Sequence, residues 1–139
     1  MGHVPTRTFS LLRKGPDLPR RQYRRSRPAR NPALTGRSTG EVGEHLACLF
    51  LVRHGLAIVA RNVRVGGGEV DILARDHTTP LVVEVRTLTG SHHPLDAIDA
   101  PKRARVRLLA QTLRIARCDL IGVGIHDDHY VIHWDQNAF

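Results

Sequence analysis

The stretch from Gly68 to Arg86, GEVDILARDHTTPLVVEVR, constrains the fold more than any other part of the chain. Two apolar-rich runs flank a short polar turn, DHTTP, so the segment reads as two antiparallel strands joined in a hairpin. Successive side chains of a strand point to opposite faces. Glu69 and Asp71 therefore share one face of the first strand, and Glu84 and Arg86 share one face of the second. Val70 and Ile72, like Val83 and Val85, point the other way into a core. The second strand, LVVEVR, is almost continuously apolar, the composition of a strand covered on both sides. A glutamate in such a run needs a partner or a function. Pairing the strands gathers three carboxylates and one cation on a small patch, and like charges that close destabilise one another unless a cation intervenes. Hard oxygen donors suit a divalent metal, Mg²⁺ above all. The plain alternative is that these charges line the solvated face of a hairpin.

The 139 residues suffice for one domain, and part of them reads as something else. Residues 1–38 hold ten of the 21 Lys and Arg, five of the eight prolines and a single acid, Asp17, with no hydrophobic periodicity. Such a segment buries too little apolar surface to offset its ordering entropy, so 1–38 is expected to be a basic disordered tail and 39–139 the folded domain. The formal net charge of +8 thus belongs to the tail, the body being close to neutral. The Arg-rich, acid-poor tail has the flavour of a transit peptide, and Arg20-Arg21 of a twin-arginine signal, but no apolar run of signal length follows. The tail either holds nucleic-acid phosphates electrostatically or is an extension with no role. No segment reaches the length of a membrane span. Two cysteines, Cys48 and Cys118, outside any CxxC pair, point to a reducing compartment, and a cytoplasmic location is expected.

Along the chain, Ser38 and Glu41 form a capping-box pattern ahead of a helix over about 40–54, with Val42, Leu46, Leu49 and Phe50 as its apolar residues and Gly55 as its stop. Residues 56–64 read as a strand and Gly66-Gly67-Gly68 as the turn into the central pair. The loop after Arg86 contains His92 and His93, without further ligands at zinc spacing. Asp99 caps a second helix from Ala100 to about Ala116, with Pro101 in its first turn and Val106, Leu109, Ala110 and Leu113 as its apolar stripe. Its Lys102, Arg103 and Arg105 either follow a phosphate backbone or form a solvated face. Residues 119–125 and 129–134 close the domain as strands, with His129 and His133 read as surface residues.

The order helix, three strands, helix, two strands, with acids on strands two and three, resembles the restriction-endonuclease-like fold: an α/β architecture with a mixed β-sheet flanked by helices. Asp71, then Glu84-x-Arg86, resembles its PD-(D/E)XK signature, with Arg86 where lysine is expected. The segments GEVGEHLACLFLVRHGLAIVARNVRVGGGEVDILARD, VVEVRT, Lys102, CDLIGV and the final NAF are similar to the YraN-like family of bacterial proteins, themselves similar to archaeal Holliday-junction resolvases. The resemblance spans about residues 38–139. It implies phosphodiester hydrolysis on DNA, including branched DNA, with Mg²⁺ or Mn²⁺ as cofactor. By position it implies Glu44, Asp71 and Glu84 as metal ligands, and Glu69 as a ligand or a group behind the ligands. Arg86 would stand in the catalytic lysine's place and Lys102 at a phosphate. The family's second basic residue after the signature is replaced by Leu88. The sequence is silent on oligomeric state, though the resemblance admits a homodimer, since resolvase-like relatives that cut two strands work as dimers. Two other readings remain open: a nucleic-acid-binding module whose nuclease site is degenerate, and an interaction protein whose acids meet a basic partner.

Overall fold

A computed structural model describes residues 7–13, 38–89, 98–127 and 129–139. Helix α1, Thr39–Arg53, starts at the capping box: Ser38 Oγ accepts from the Glu41 amide at 3.3 Å, and Glu41 accepts from the Ser38 amide at 2.7 Å. Gly55, at φ 85°, carries the chain out of the helix. Strands β2 (Ala57–Val65), β3 (Gly68–Asp76) and β4 (Thr79–Thr89) follow as two tight hairpins, the second turning on His77 and Thr78. Helix α2, Ala100–Thr112, is capped by Asp99, whose side chain accepts from the Lys102 amide at 2.9 Å. Strands β5 (Arg117–Ile125) and β6 (His129–Asp135) complete the order. The second helix therefore ends at Thr112, about one turn short of the expected end near Ala116, and β4 runs three residues beyond Arg86.

One further strand precedes these. Arg7–Arg13, assigned from composition to the disordered tail, forms β1 and pairs antiparallel with β6, Phe9 opposite Ile132. Segment TFSLL carries β-capable residues, and the edge of β6 offers unpaired backbone groups to any such segment. The remainder of 1–38, and the His92-His93 loop, lie outside the described residues.

The sheet runs β1-β6-β5-β4-β3-β2, and only β4 and β5 are parallel, joined by α2 as a crossover. This is a mixed α/β architecture with a helix on each face. On one face α1 packs Leu46, Ala47, Phe50 and Leu51 against Ile72, Val83, Val85, Ile121 and Trp134. A Cβ on Gly43 would fall inside the Thr87 side chain, so backbone and strand meet there with no room for any other residue. On the other face α2 packs Val106, Leu109 and Ala110 against Val65, Val70, Val82 and Cys118. Residues Leu81 to Val85 are all buried, Glu84 among them, as an almost continuously apolar strand covered on both faces requires. Cys48 and Cys118 are buried free thiols.

Three local expectations change. Leu49, counted with the apolar face of α1, is exposed. His133, read as a surface residue, is buried at 7% exposure because β1 and β5 flank β6 on both sides. Val70 and Ile72 are both core residues, yet they join opposite clusters. The strand rotates between them where its neighbour Asn62 adopts φ 50°, a left-handed conformation that asparagine tolerates better than most residues.

Candidate active site

That rotation sets the site. The β3–β4 ladder runs from Asp76 opposite Thr79 to Ile72 opposite Val83 and ends there. Asp71 and Glu84 occupy the next register position. Instead of continuing the ladder, the Asp71 carboxylate accepts the Val85 amide at 2.8 Å. The carboxylate thereby replaces a backbone acceptor and sits between two strands that are separating.

Glu84 is 3% exposed, its neighbours on β4 being buried on both sides. Its carboxyl is pushed up to about 7, first by burial and then by the Asp71 charge; the Lys102 ammonium pulls the other way. Each carboxyl acts on the other: the Asp71 charge raises Glu84, while the neighbouring Glu84 helps to hold Asp71 down. Asp71 is also raised, by burial, although the Val85 amide, Glu84 and Lys102 each hold it down. Burial thus raises both carboxyls, and Glu84, which also feels the Asp71 charge, bears the larger shift.

Lys102 comes from the first turn of α2, and its Nζ lies 2.8 Å from Glu84 Oε1. Glu44, on α1, is half-buried and within the field of Asp71. Its carboxyl is raised by burial and by Asp71, against Arg61, 3.8 Å away, and an Asn62 hydrogen bond. Asn62 thus bends the β2–β3 ribbon and ties it to Glu44. Glu69 is exposed and faces Arg64 at 4.0 Å, contributing charge to Asp71 and Glu44 without joining the buried pair. Arg86 lies two residues beyond Glu84 on β4, half-buried.

The helix cations divide into separate tasks. Lys102 meets Glu84. Arg103 donates to the Ala138 carbonyl at 3.1 Å and lies over the Phe139 ring, so it secures the C-terminal segment. Arg105 donates to the Gly67 carbonyl at 2.7 Å.

Among the described residues, no three His, Cys, Asp or Glu side chains form a ready-made metal cage. The donor set still fits a hard cation. Mg²⁺ is commonly held by one or two carboxylates, with waters and substrate phosphates filling its octahedron. Asp71 and Glu84, with Glu44 in the field of Asp71, are such a set.

Sequence reasoning missed Asp119, which has no exposed surface. Its carboxylate takes both arms of Arg117 at 3.0 and 2.9 Å, the Trp134 indole at 3.0 Å and the Asn137 amide at 3.0 Å. Arg117 also reaches Asp76 at 2.9 Å. This network ties β5 to β6, to the end of β3 and to the C-terminal turn, away from the acid pair. An aspartate opening an otherwise apolar strand, CDLIGV, was its only local signal.

Residues 43–123 match the family model described as Uncharacterised protein family UPF0102. A UPF0102 protein of Geobacter metallireducens is 36% identical over 117 residues, covering 77% of this chain and 96% of that protein. One from Symbiobacterium thermophilum is 42% identical over 83 residues, 58% of this chain and 70% of that protein. Among solved structures, SfsA of Pyrococcus furiosus in complex with Ca²⁺ is similar over 76% of this chain and 63% of that one. The TM-score of 0.36 and identity of 13% are too low to carry an argument.

Proposed function

The chain belongs to the uncharacterised protein family UPF0102, the YraN-like family, and from that premise and its carboxylate geometry we propose a metal-dependent endonuclease that hydrolyses phosphodiester bonds in DNA. The observation that carries the reading is the Asp71–Glu84 pair. These are two acids, one of them almost fully enclosed, brought together at the point where the β3–β4 ladder ends, with the Lys102 ammonium 2.8 Å from Glu84. The order of elements across 39–139, helix, three strands, helix, two strands, agrees with the restriction-endonuclease-like resemblance.

Asp71 and Glu84, with Glu44 beside them, would hold Mg²⁺ or Mn²⁺. When bound, the ion supplies Lewis acidity toward a phosphoryl oxygen and lowers the pKa of a water. The chain's own groups do the rest. Asp71 is fixed by the Val85 amide, so one of its oxygens is oriented before any ligand arrives. Lys102 places an ammonium 2.8 Å from Glu84, where it can stabilise charge developing on phosphorus or pass a proton. Arg86 keeps the positive charge of the signature position and can clamp phosphate oxygens, but its guanidinium does not deprotonate. We therefore assign the proton-handling part to Lys102 and a clamping part to Arg86. Glu69 acts through its charge on Asp71. A pair of copies would be needed to cut two strands.

The test is cleavage of linear, nicked and four-way DNA by the full chain with Mg²⁺ or Mn²⁺. Metal-dependent nicking that disappears in Glu84→Ala supports the reading; no cleavage with either metal removes it. One observation favours a second reading, a nucleic-acid-binding module without turnover: arginine stands at the signature lysine's position. That reading expects salt-dependent DNA binding with no cleavage in the natural chain, and cleavage restored by Arg86→Lys.

A further inference from the structure

The β2–β3 turn, with three consecutive glycines, borders a cleft of about 460 Å³ lined by Arg64, Gly66, Gly67, Gly68, Glu69 and Arg105. Arg105 comes from α2, and its guanidinium is anchored to the turn by the Gly67 carbonyl at 2.7 Å. Anchoring through one nitrogen leaves other donors of the planar fork for a second partner. Arg64 is 90% exposed along its side chain and faces Glu69 at 4.0 Å. An exposed pair that loose contributes little, so an anion can replace it at small cost. At Gly66 and Gly67 nothing lies within 4 Å of where a Cβ would be, and the turn presents bare backbone to the cleft. Gly68 has Leu109 methyl carbons 3.0 Å from its Cβ position, which seats the turn on α2.

The cleft also borders the strand that carries Asp71. Glu69 precedes Asp71 by two residues of β3, about 7 Å along a strand, and Gly68 by about 10 Å. One strand of B-DNA advances about 3.4 Å along the helix axis per phosphate. The cleft therefore lies within reach of a DNA strand whose phosphate is held at Asp71 and Glu84.

We propose that this cleft is a second phosphate-binding subsite, in which Arg64 and Arg105 hold the DNA backbone on the β3 side of the phosphate at the acids. It rests on the nuclease reading of the acid pair. Guanidinium forks match phosphate oxygens in two-bond geometry, and a side-chain-free turn lets the sugar-phosphate chain approach closely.

The experiment uses the full chain in EDTA, so that binding is read without cleavage, with a fluorescein-labelled 30-base-pair duplex followed by anisotropy from 50 to 200 mM salt. Arg64→Ala and Arg105→Ala should each weaken binding and each reduce the slope of log K against log salt by about 1. The double variant should lose about 2. Arg53→Ala, exposed at the end of α1 and outside the cleft, should leave the slope unchanged. Arg64 makes no contact the fold needs, so Arg64→Ala stays informative even if Arg105→Ala disturbs the turn; Arg105→Lys then keeps the charge and should restore the slope. Unchanged slopes in Arg64→Ala and Arg105→Ala, or an equal drop in Arg53→Ala, would overturn the subsite. Metal-dependent nicking abolished by Glu84→Ala would survive that result, so the two proposals fail separately. A wild-type chain that binds no duplex overturns the subsite together with the reading beneath it.

Discussion

Lys102 Nζ lies 2.8 Å from Glu84 Oε1, joining the first turn of α2 to the middle of β4 across 18 positions of sequence. Glu84 is almost fully enclosed and Lys102 about one-third exposed, so the pair is a buried acid served by a cation that opens to solvent. On the nuclease reading, Lys102→Ala should lower Mg²⁺-dependent cleavage on the order of 10²-fold, the usual loss when one donor to developing charge is removed. Arg86→Ala should weaken DNA binding more than it slows the bound complex. Single-turnover rates at saturating enzyme separate the two effects. Equal losses in the single-turnover rate would contradict the division of labour between them.

The Glu84 carboxyl gives the metal-free protein a pH-dependent stability. Its folded pKa of about 7 lies above the ordinary 4.5, so the folded state binds the proton more tightly. Stability from this group is complete below pH 4.5 and is lost as pH rises toward 7, by at most about 3 kcal/mol. Urea unfolding in EDTA at pH 4.5, 5.5, 6.5 and 7.5 should show midpoints falling through that window. Glu84→Gln should flatten the fall. Mg²⁺ should raise the midpoint most at the upper end, where the pair has lost its proton and most needs a cation.

Asp119 should matter for folding and little for chemistry. Asp119→Ala leaves the Arg117 guanidinium, the Trp134 indole and the Asn137 amide without their acceptor in a fully buried place. Breaking a buried charged pair while leaving one partner behind costs about 3–5 kcal/mol. Denaturant unfolding should read that loss. Where the variant remains folded at low temperature, its affinity for Mn²⁺ should match that of the natural chain.

Gly43→Ala tests how closely α1 approaches the sheet. The added methyl would overlap the Thr87 side chain, forcing helix and strand apart. A loss of about 1–3 kcal/mol is expected from the overpacking. Gly43→Ala combined with Thr87→Gly should recover part of it in thermal unfolding. Because Glu44 follows Gly43 directly, displacement of α1 should also weaken metal binding.

Much of the fold was legible in local pattern. The capping box at Ser38 and Glu41, the Asp99 cap and the glycine after α1 act within a few residues, and each stands where the sequence places it. The unbroken run at β4 announced burial on both faces, which made Glu84 conspicuous before any contact was known. Alternation also predicted that Asp71 and Glu84 would meet. It did not predict how: the strand rotates between Val70 and Ile72, at a kink in the neighbouring strand that no period-two pattern encodes.

Three contacts lay beyond any local rule. Arg103 and Arg105 belong to one basic stretch, yet one secures the C-terminus and the other the β2–β3 turn, because α2 turns about 100° per residue. His133 is buried because strands flank it on both sides, one of them drawn from a segment whose composition reads as tail. Asp119 gathers donors from positions 117, 134 and 137.

The sequence by itself determined which segments become helices and strands and which acids stand out in them, because caps, turns and alternation are settled between near neighbours. Only the tertiary structure decided which cation meets which acid. An ion pair forms where the sheet's crossover and twist bring two side chains together, and that meeting is a property of packing rather than of spacing along the chain.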